Sequence, residues 1–145
     1  MIKAIMACDC EGGIAKNGSM PWPKNEKDLA WFKRNTINST VIMGKKTWLD
    51  PMMPAPLPGR KNIVVTSDPD SCPGADEYIT QDILESIQKI HDDNDRHDIW
   101  IIGGANLLEQ TMPIVERLYL TIMPEQYQCD TLIPLKDILR SMTEI

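Results

Sequence analysis

The sequence predicts an α/β fold, with a central, mostly parallel, twisted sheet flanked by helices on both faces. Short apolar runs alternate with segments of helical periodicity, as parallel strands joined by crossover helices require. The run Ile99-Trp100-Ile101-Ile102 ends in Gly103-Gly104 and leads into a helix-like segment at 105–111. Backbone N–H groups and a helix start would therefore face whatever lies beyond that strand. A tight turn after a buried strand has the same pattern, so the rest of the chain must separate the two readings. With 145 residues, 42% hydrophobic and 25% charged, the chain suffices for one domain, 1–145, with a sizeable core.

Residues 1–8 are apolar except for Lys3 and read as a buried first strand. Residues 9–23 hold Gly12, Gly13, Gly18, Pro21 and Pro23 and read as a long loop, functional by its length. The loop also carries Met20 and Trp22, apolar bulk that a solvated loop would not need. Over 25–34, Leu29, Trp31 and Phe32 fall on adjoining faces opposite Lys27, Lys33 and Arg34, which predicts a helix. A short buried strand over 40–43 ends at Gly44, and a helix beginning at 45–48 is cut short by Pro51 and Pro54. Ile63-Val64-Val65-Thr66 is the next strand, and Ile79 closes another. Ile83, Leu84, Ile87 and Ile90 then recur at core spacing for an amphipathic helix. The acidic stretch 91–98 lacks the alternation and glycine of a calcium loop and reads as a solvated turn. Residues 117–123 supply the last clear strand.

A net charge of -6 argues against binding a phosphate backbone, so no nucleic acid is expected as a partner. Neither a bilayer-length apolar run nor a secretory signal pattern is visible, so no membrane is expected and the reading is cytoplasmic. Cys8, Cys10, Cys72 and Cys129 form no C-x-x-C pair and read as free, mostly buried thiols with no metal centre.

Asp28 and Phe32 lie four residues apart and share a helix face, with Leu29 beside them. A carboxylate in apolar surroundings costs free energy unless a ligand pairs with it or it stays protonated. An acid is equally at home, solvated, in the first turn of a helix, and spacing alone leaves both readings open.

Met20-Pro21-Trp22, Asp28-Leu29-Ala30-Trp31-Phe32-Lys33, Val41-Ile42-Met43-Gly44-Lys45-Lys46-Thr47-Trp48, Leu57-Pro58-Gly59-Arg60-Lys61-Asn62, Ile102-Gly103-Gly104, Leu118-Tyr119-Leu120-Thr121 and Asp130-Thr131 occur in one order. That order and approximate spacing closely resemble bacterial and phage dihydrofolate reductases, from residue 1 to about 134. The resemblance implies that family's three-layer fold and the NADPH-dependent reduction of 7,8-dihydrofolate to 5,6,7,8-tetrahydrofolate. The product would serve one-carbon metabolism and thymidylate synthesis, and antifolates would inhibit the enzyme.

The same resemblance implies roles for single residues. Asp28 would bond the 2-amino group and N3 of the pteridine in fork geometry, Thr121 would orient it, and Trp22 would hold a water beside them. Leu29 and Phe32, joined by Ile5, Ala7, Leu57 and Ile102, would wall the pterin and aminobenzoyl rings, and Arg60 would pair with the glutamate α-carboxylate. Ala7 would also offer backbone bonds to the nicotinamide carboxamide, with Ile14, Ser19 and Met20 closing over the ring. Gly44, Lys45, Thr47, the Gly103-Gly104 turn and the helix start Ala105, Asn106 and Leu107 would hold the pyrophosphate and riboses. Lys45 and Lys46, with Ser67, would bind the adenosine 2'-phosphate, which favours NADPH over NADH.

The sequence departs from the family pattern at several points. Residues 49–56 are longer and richer in proline than usual, one extra residue separates Trp22 from Asp28, and Asn106 and Leu108 replace an arginine and an aromatic. Family members continue past Asp130-Thr131 into an edge hairpin, whereas this sequence ends at Ile145 after an amphipathic 135–142. The expectation is that 137–142 packs as a short helix with Ile138, Leu139 and Met142 on one face, or that two copies pair through the edge at 117–123, giving a monomer or a dimer. A related reductase of a ribosylated pyrimidine and a catalytically idle scaffold are the competing readings. The first would not need Asp28, Phe32 and Arg60 together, and intact catalytic positions argue against the second.

Overall fold

The computed structural model describes residues 1–17, 20–22, 26–51, 53, 55–93 and 97–142. Strands β1 (Ile2–Cys8), β3 (Thr40–Gly44), β4 (Lys61–Val65), β5 (Glu77–Ile79), β6 (Ile99–Ile101) and β7 (Arg117–Ile122) form one six-stranded sheet in the order β5-β4-β3-β6-β1-β7. Every ladder in it is parallel, from Ile63↔Glu77 at one side to Ala7↔Thr121 at the other. Helices α1 (Glu26–Thr36), α2 (Lys45–Trp48), α3 (Ile83–Asp93), α4 (Ala105–Thr111) and α5 (Leu135–Ser141) pack around it. A small antiparallel pair, β2 (Gly13–Ala15) with β8 (Thr131–Leu132), lies apart from the main sheet.

Successive side chains on a strand point to opposite faces, so the apolar strands build two cores at once. Ile2, Ala4, Met6 and Cys8 of β1, Ile42, Ile63, Ile99 and Ile101 face a core closed by Ile87 of α3, Leu107 and Leu108 of α4 and Ile138 of α5. Ile5, Val41, Met43, Val64 and Trp100 face the other, closed by Trp31 and Phe32 of α1 and Trp48 of α2. The predicted three-layer arrangement follows from this alternation.

Lys3, the one charge in β1, reaches Asp98 at 2.9 Å and stands over the Trp100 ring at 5.1 Å. Burial alone would raise the Asp98 pKa, but hydrogen bonding and attraction to Lys3 hold it below the usual carboxylate value. The end of the acidic stretch is thus tied down, while residues 94–96 lie outside the described set. In α3 the stripe is Ile83, Ile87 and Ile90; Leu84, expected in the core, is 37% exposed because it lies about 100° round the helix from Ile83. Of the cysteines, all free, Cys8 and Cys72 are buried, Cys129 is intermediate and Cys10 is exposed. The predicted tail helix forms, but Leu135 and Ile138 are its buried residues, whereas Leu139 and Met142 face outward. β7 is the last strand in the sheet's hydrogen-bonded order.

Asn62 opens the fold toward its site. Its side chain is 1% exposed, accepts from the Leu57 N–H at 2.8 Å, and donates to the carbonyls of Leu57 at 3.0 Å and Arg60 at 2.9 Å. One buried amide therefore shapes the loop that carries Arg60. Asn62→Leu should lower stability by about 2–3 kcal/mol, because the Leu57 amide and carbonyl lose their partners while buried. A denaturant midpoint unchanged from the parent would contradict that account.

Candidate active site at the carboxyl ends of the strands

Parallel neighbours β4, β3, β6, β1 and β7 deliver their carboxyl ends to one edge of the sheet, where open α/β sheets bind ligands. The β3–β6 boundary is lined by glycine. The Gly44 N–H donates to the Gly103 carbonyl at 2.9 Å. A Cβ placed on Gly44 would come no closer than 3.8 Å to Gly103 or Gly104, and one on Gly104 would stand 3.9 Å from Thr47 Oγ1. A Cβ at either position would thus make ordinary contacts, and without one the main chain stays bare on that side. Gly103 has φ +122°, a conformation that side chains disfavour, and its peptide bond to Gly104 is cis.

Lys45 and Lys46 open α2 and are exposed. Val65 pairs with Gly44, so Ser67, also exposed, follows the strand next to them. Asn106, at the start of α4, is exposed and accepts from Gln110 at 2.9 Å. The Leu107 side chain is 5% exposed in the core, so only its backbone can meet a ligand. The first N–H groups of a helix have no intrahelical acceptor, and Ala105, Asn106 and Leu107 present theirs beside the glycines.

On the other side of the sheet, Ile5, Leu57 and Ile102 are buried in one cluster with Phe32 packed against them. The structure thus joins four of the expected ring-wall residues. Leu29 is 39% exposed, one turn N-terminal to Lys33. The helix carrying Asp28 has acids in its first turn and Lys33 and Arg34 in its last, a distribution that suits its dipole. Asp28 itself is half-buried.

Arg60 is held from three sides. Its Nε donates to the Pro58 carbonyl at 3.0 Å, Nη1 donates to Thr36 Oγ1 at 3.1 Å, and the guanidinium lies 5.9 Å from the Phe32 ring centroid. Thr36 is fully buried and donates to the Phe32 carbonyl at 2.8 Å. Burial draws the Arg60 pKa below its ordinary value.

The loop predicted over 9–23, the candidate lid of the site, is anchored at several of its described residues. Ile14 is 8% exposed within the core, Met20 is half-buried, and Trp22 is 7% exposed with its ring edge-on to Tyr127 at 5.9 Å. Ser19 lies outside the described residues. Asp130 accepts from the Asn17 N–H at 2.8 Å and donates its own N–H to the Ala15 carbonyl at 3.0 Å. The Asn17 bond holds its carboxyl below the usual range. Ala7 and Thr121 are partners across the β1–β7 ladder.

Thr36, Asn62, Tyr127 and Asp9 carry no individual role in the sequence expectations, although Asn62 closes one of the ordered motifs. Only Asp9 left a local signal, an aspartate at a strand end before Gly12-Gly13, which is the pattern of a side chain that caps its own turn. The partners of the other three are remote along the chain or depend on tertiary packing. Among the described residues, no group of three or more His, Cys, Asp or Glu gathers as a metal would need.

Comparisons with known proteins bear on this site. A sequence profile described as dihydrofolate reductase matches residues 1–140. Dihydrofolate reductase of Bacillus subtilis (strain 168) is 36% identical over 135 residues, 92% of this chain and 76% of that protein. The Bos taurus enzyme is 30% identical over 92% of this chain and 78% of its own length. Among solved structures, dihydrofolate reductase from Enterococcus faecalis complexed with NADP(H) and RAB-propyl superposes with a TM-score of 0.75 at 33% identity, covering 92% of this chain and 77% of that one. A glycine-lined strand edge, an apolar cluster closed by α1 and similarity along almost the whole chain agree: the chain belongs to the dihydrofolate reductase family.

Proposed function

We propose that the protein reduces 7,8-dihydrofolate to 5,6,7,8-tetrahydrofolate with NADPH, in the cytoplasm, in support of one-carbon metabolism and nucleotide biosynthesis. One observation carries the reading: Asp28, Phe32 and Thr36 recur every four residues along α1, with Arg60 bonded to the last. The stripe spans about 12 Å of helix axis. It sets an acid at one end, an aromatic wall in the middle and a guanidinium at the other end. A flat, amine-bearing ring with a carboxylate tail has that sequence of chemistries.

Asp28 accepts two parallel N–H bonds from the pteridine, a geometry that a carboxylate matches. Thr121 orients it and Trp22 holds a water near it. Leu29, Phe32, Ile5, Leu57 and Ile102 exclude bulk water from the rings, which strengthens those polar bonds. Arg60, with Nε and one Nη1 hydrogen already bonded, turns its remaining donors to the α-carboxylate.

The glycine edge fits a dinucleotide, because residues without a Cβ let phosphates come close to the main chain beside a helix start. NADPH supplies a hydride from its nicotinamide C4 when bound. Backbone N–H groups at Gly103, Gly104 and the start of α4, with Thr47, would hold its pyrophosphate and riboses; the Gly44 N–H, expected among them, is taken by the Gly103 carbonyl, so Gly44 would serve only by its lack of a side chain. Lys45, Lys46 and Ser67 would bind its 2'-phosphate, and the backbone of Ala7 would bond the nicotinamide amide on the side of the site that carries Ile14 and Met20. Asp28 polarises the pterin, and a water relays the proton to N5.

The direct test follows NADPH absorbance on adding dihydrofolate. Oxidation is expected with NADPH and is much slower with NADH, and Lys45→Ala should narrow that preference. A folded protein that binds NADPH and leaves dihydrofolate unreduced at every pH would overturn the reading.

Asp28→Asn keeps the shape and removes the charge and the paired acceptor. Binding of pterin antifolates should weaken by about 2–5 kcal/mol, the scale for a buried, charge-paired hydrogen bond, while NADPH binding stays near the parent value. Calorimetric titration of both ligands checks the contrast. Thr36→Val deletes the acceptor that holds Arg60, so the dihydrofolate KM should rise by about tenfold, roughly 1.4 kcal/mol, with kcat little changed. A dihydropterin lacking the glutamate tail should show no such rise.

A further inference from the structure

The geometry points to Asp9 as a positioning residue: its two carboxylate oxygens divide between the turn that opens the lid and the loop before β8, fixing both against the carboxyl end of β1. This inference rests on the proposed reduction and concerns the nicotinamide side of the same site.

Asp9 follows β1 directly and is 1% exposed. Oδ1 accepts from the backbone N–H of Glu11 at 2.9 Å and of Gly13 at 2.8 Å. Oδ2 accepts from the Tyr127 N–H at 3.1 Å and the Cys129 thiol at 3.6 Å. The Asp9 backbone closes the same turn, donating to the Gly13 carbonyl at 2.8 Å and accepting from Gly12 at 3.1 Å. Among the described residues no ion pair reaches Asp9, so N–H dipoles and a thiol stabilise the buried charge. Burial would raise its pKa, but the Tyr127, Gly13 and Glu11 bonds outweigh it and hold the group below the ordinary value. The four bonds to its two oxygens are all of the kind that an ionised carboxylate accepts.

The two halves lead to opposite parts of the lid. Gly13 begins β2, which carries Ile14 and Ala15, and Tyr127 meets the Trp22 ring at 5.9 Å. Gly13 must approach closely: a Cβ there would stand 2.6 Å from Cys129 Sγ and 2.8 Å from Asp9 Oδ2. Asparagine cannot replace Asp9. One side of its amide is a donor, so it would confront either the Glu11 and Gly13 N–H groups or the Tyr127 N–H and the thiol. One loop is released while the fold's cores are untouched.

Asp9→Asn should speed amide hydrogen exchange at Gly13 or Tyr127 and shift the tryptophan emission of the ligand-free protein. With NADPH and dihydrofolate, kcat should fall on the order of tenfold to a hundredfold, the cost of a misplaced reacting group, with the dihydrofolate KM within about twofold of the parent. Parent-like exchange at both amides, or a lowered melting temperature with parent kcat, would overturn the assignment. Should Asp9→Asn not fold, Cys129→Ala and Cys129→Ser replace it: serine retains a donor to Oδ2 and should keep the parent kcat and Tyr127 exchange rate, whereas alanine should not. Equal behaviour of the two also overturns it. If the parent itself fails to reduce dihydrofolate, the functional reading falls alone, because exchange and emission still report the clamp.

Discussion

Because every ladder of the six-stranded sheet is parallel, all strand ends that carry site residues leave the sheet on one side. Parallel strands need a crossover for each return, and those crossovers supply the helices that cover both faces. The glycines at 44, 103 and 104, the backbone of Ala7 and the hydroxyl of Thr121 come from separate stretches of sequence. Strand adjacency brings them together. The same alternation that buries Ile99 and Ile101 on one face sends Trp100 and Ile102 to the other, so the core against α3 and α4 and the core against α1 are set by one register.

Loops that overhang a cleft cannot be fixed by packing alone, since one side must stay open for a ligand. Here three buried polar side chains act as their frames. Asn62 satisfies the Leu57 and Arg60 backbone, Thr36 holds the Arg60 guanidinium, and Asp9 ties two distant turns to one strand end. Each is satisfied by several partners, which makes a single geometry favourable and any alternative costly. Their positions also explain how an acidic chain of net charge -6 presents cations where anions are expected. Arg60 is oriented from behind, and Lys45 and Lys46 stand at one strand edge, so local placement overrides the global balance.

The sequence by itself determined the strand and helix alternation, the glycine edge and the family, because each is written in local periodicity or in an ordered motif. α4 forms over Ala105–Thr111 as its pattern predicts, and the stripe of Asp28 and Phe32 follows from a helical repeat alone. Tertiary structure decided what depends on partners far along the chain. Asp9 reads locally as a turn residue, yet one of its oxygens is occupied from 118 residues away by Tyr127. β2 and β8 are too short to register as strands until they pair with each other. The tail helix turns Leu135 and Ile138 inward rather than Leu139 and Met142, because periodicity defines a stripe but only the neighbouring core chooses which stripe is buried.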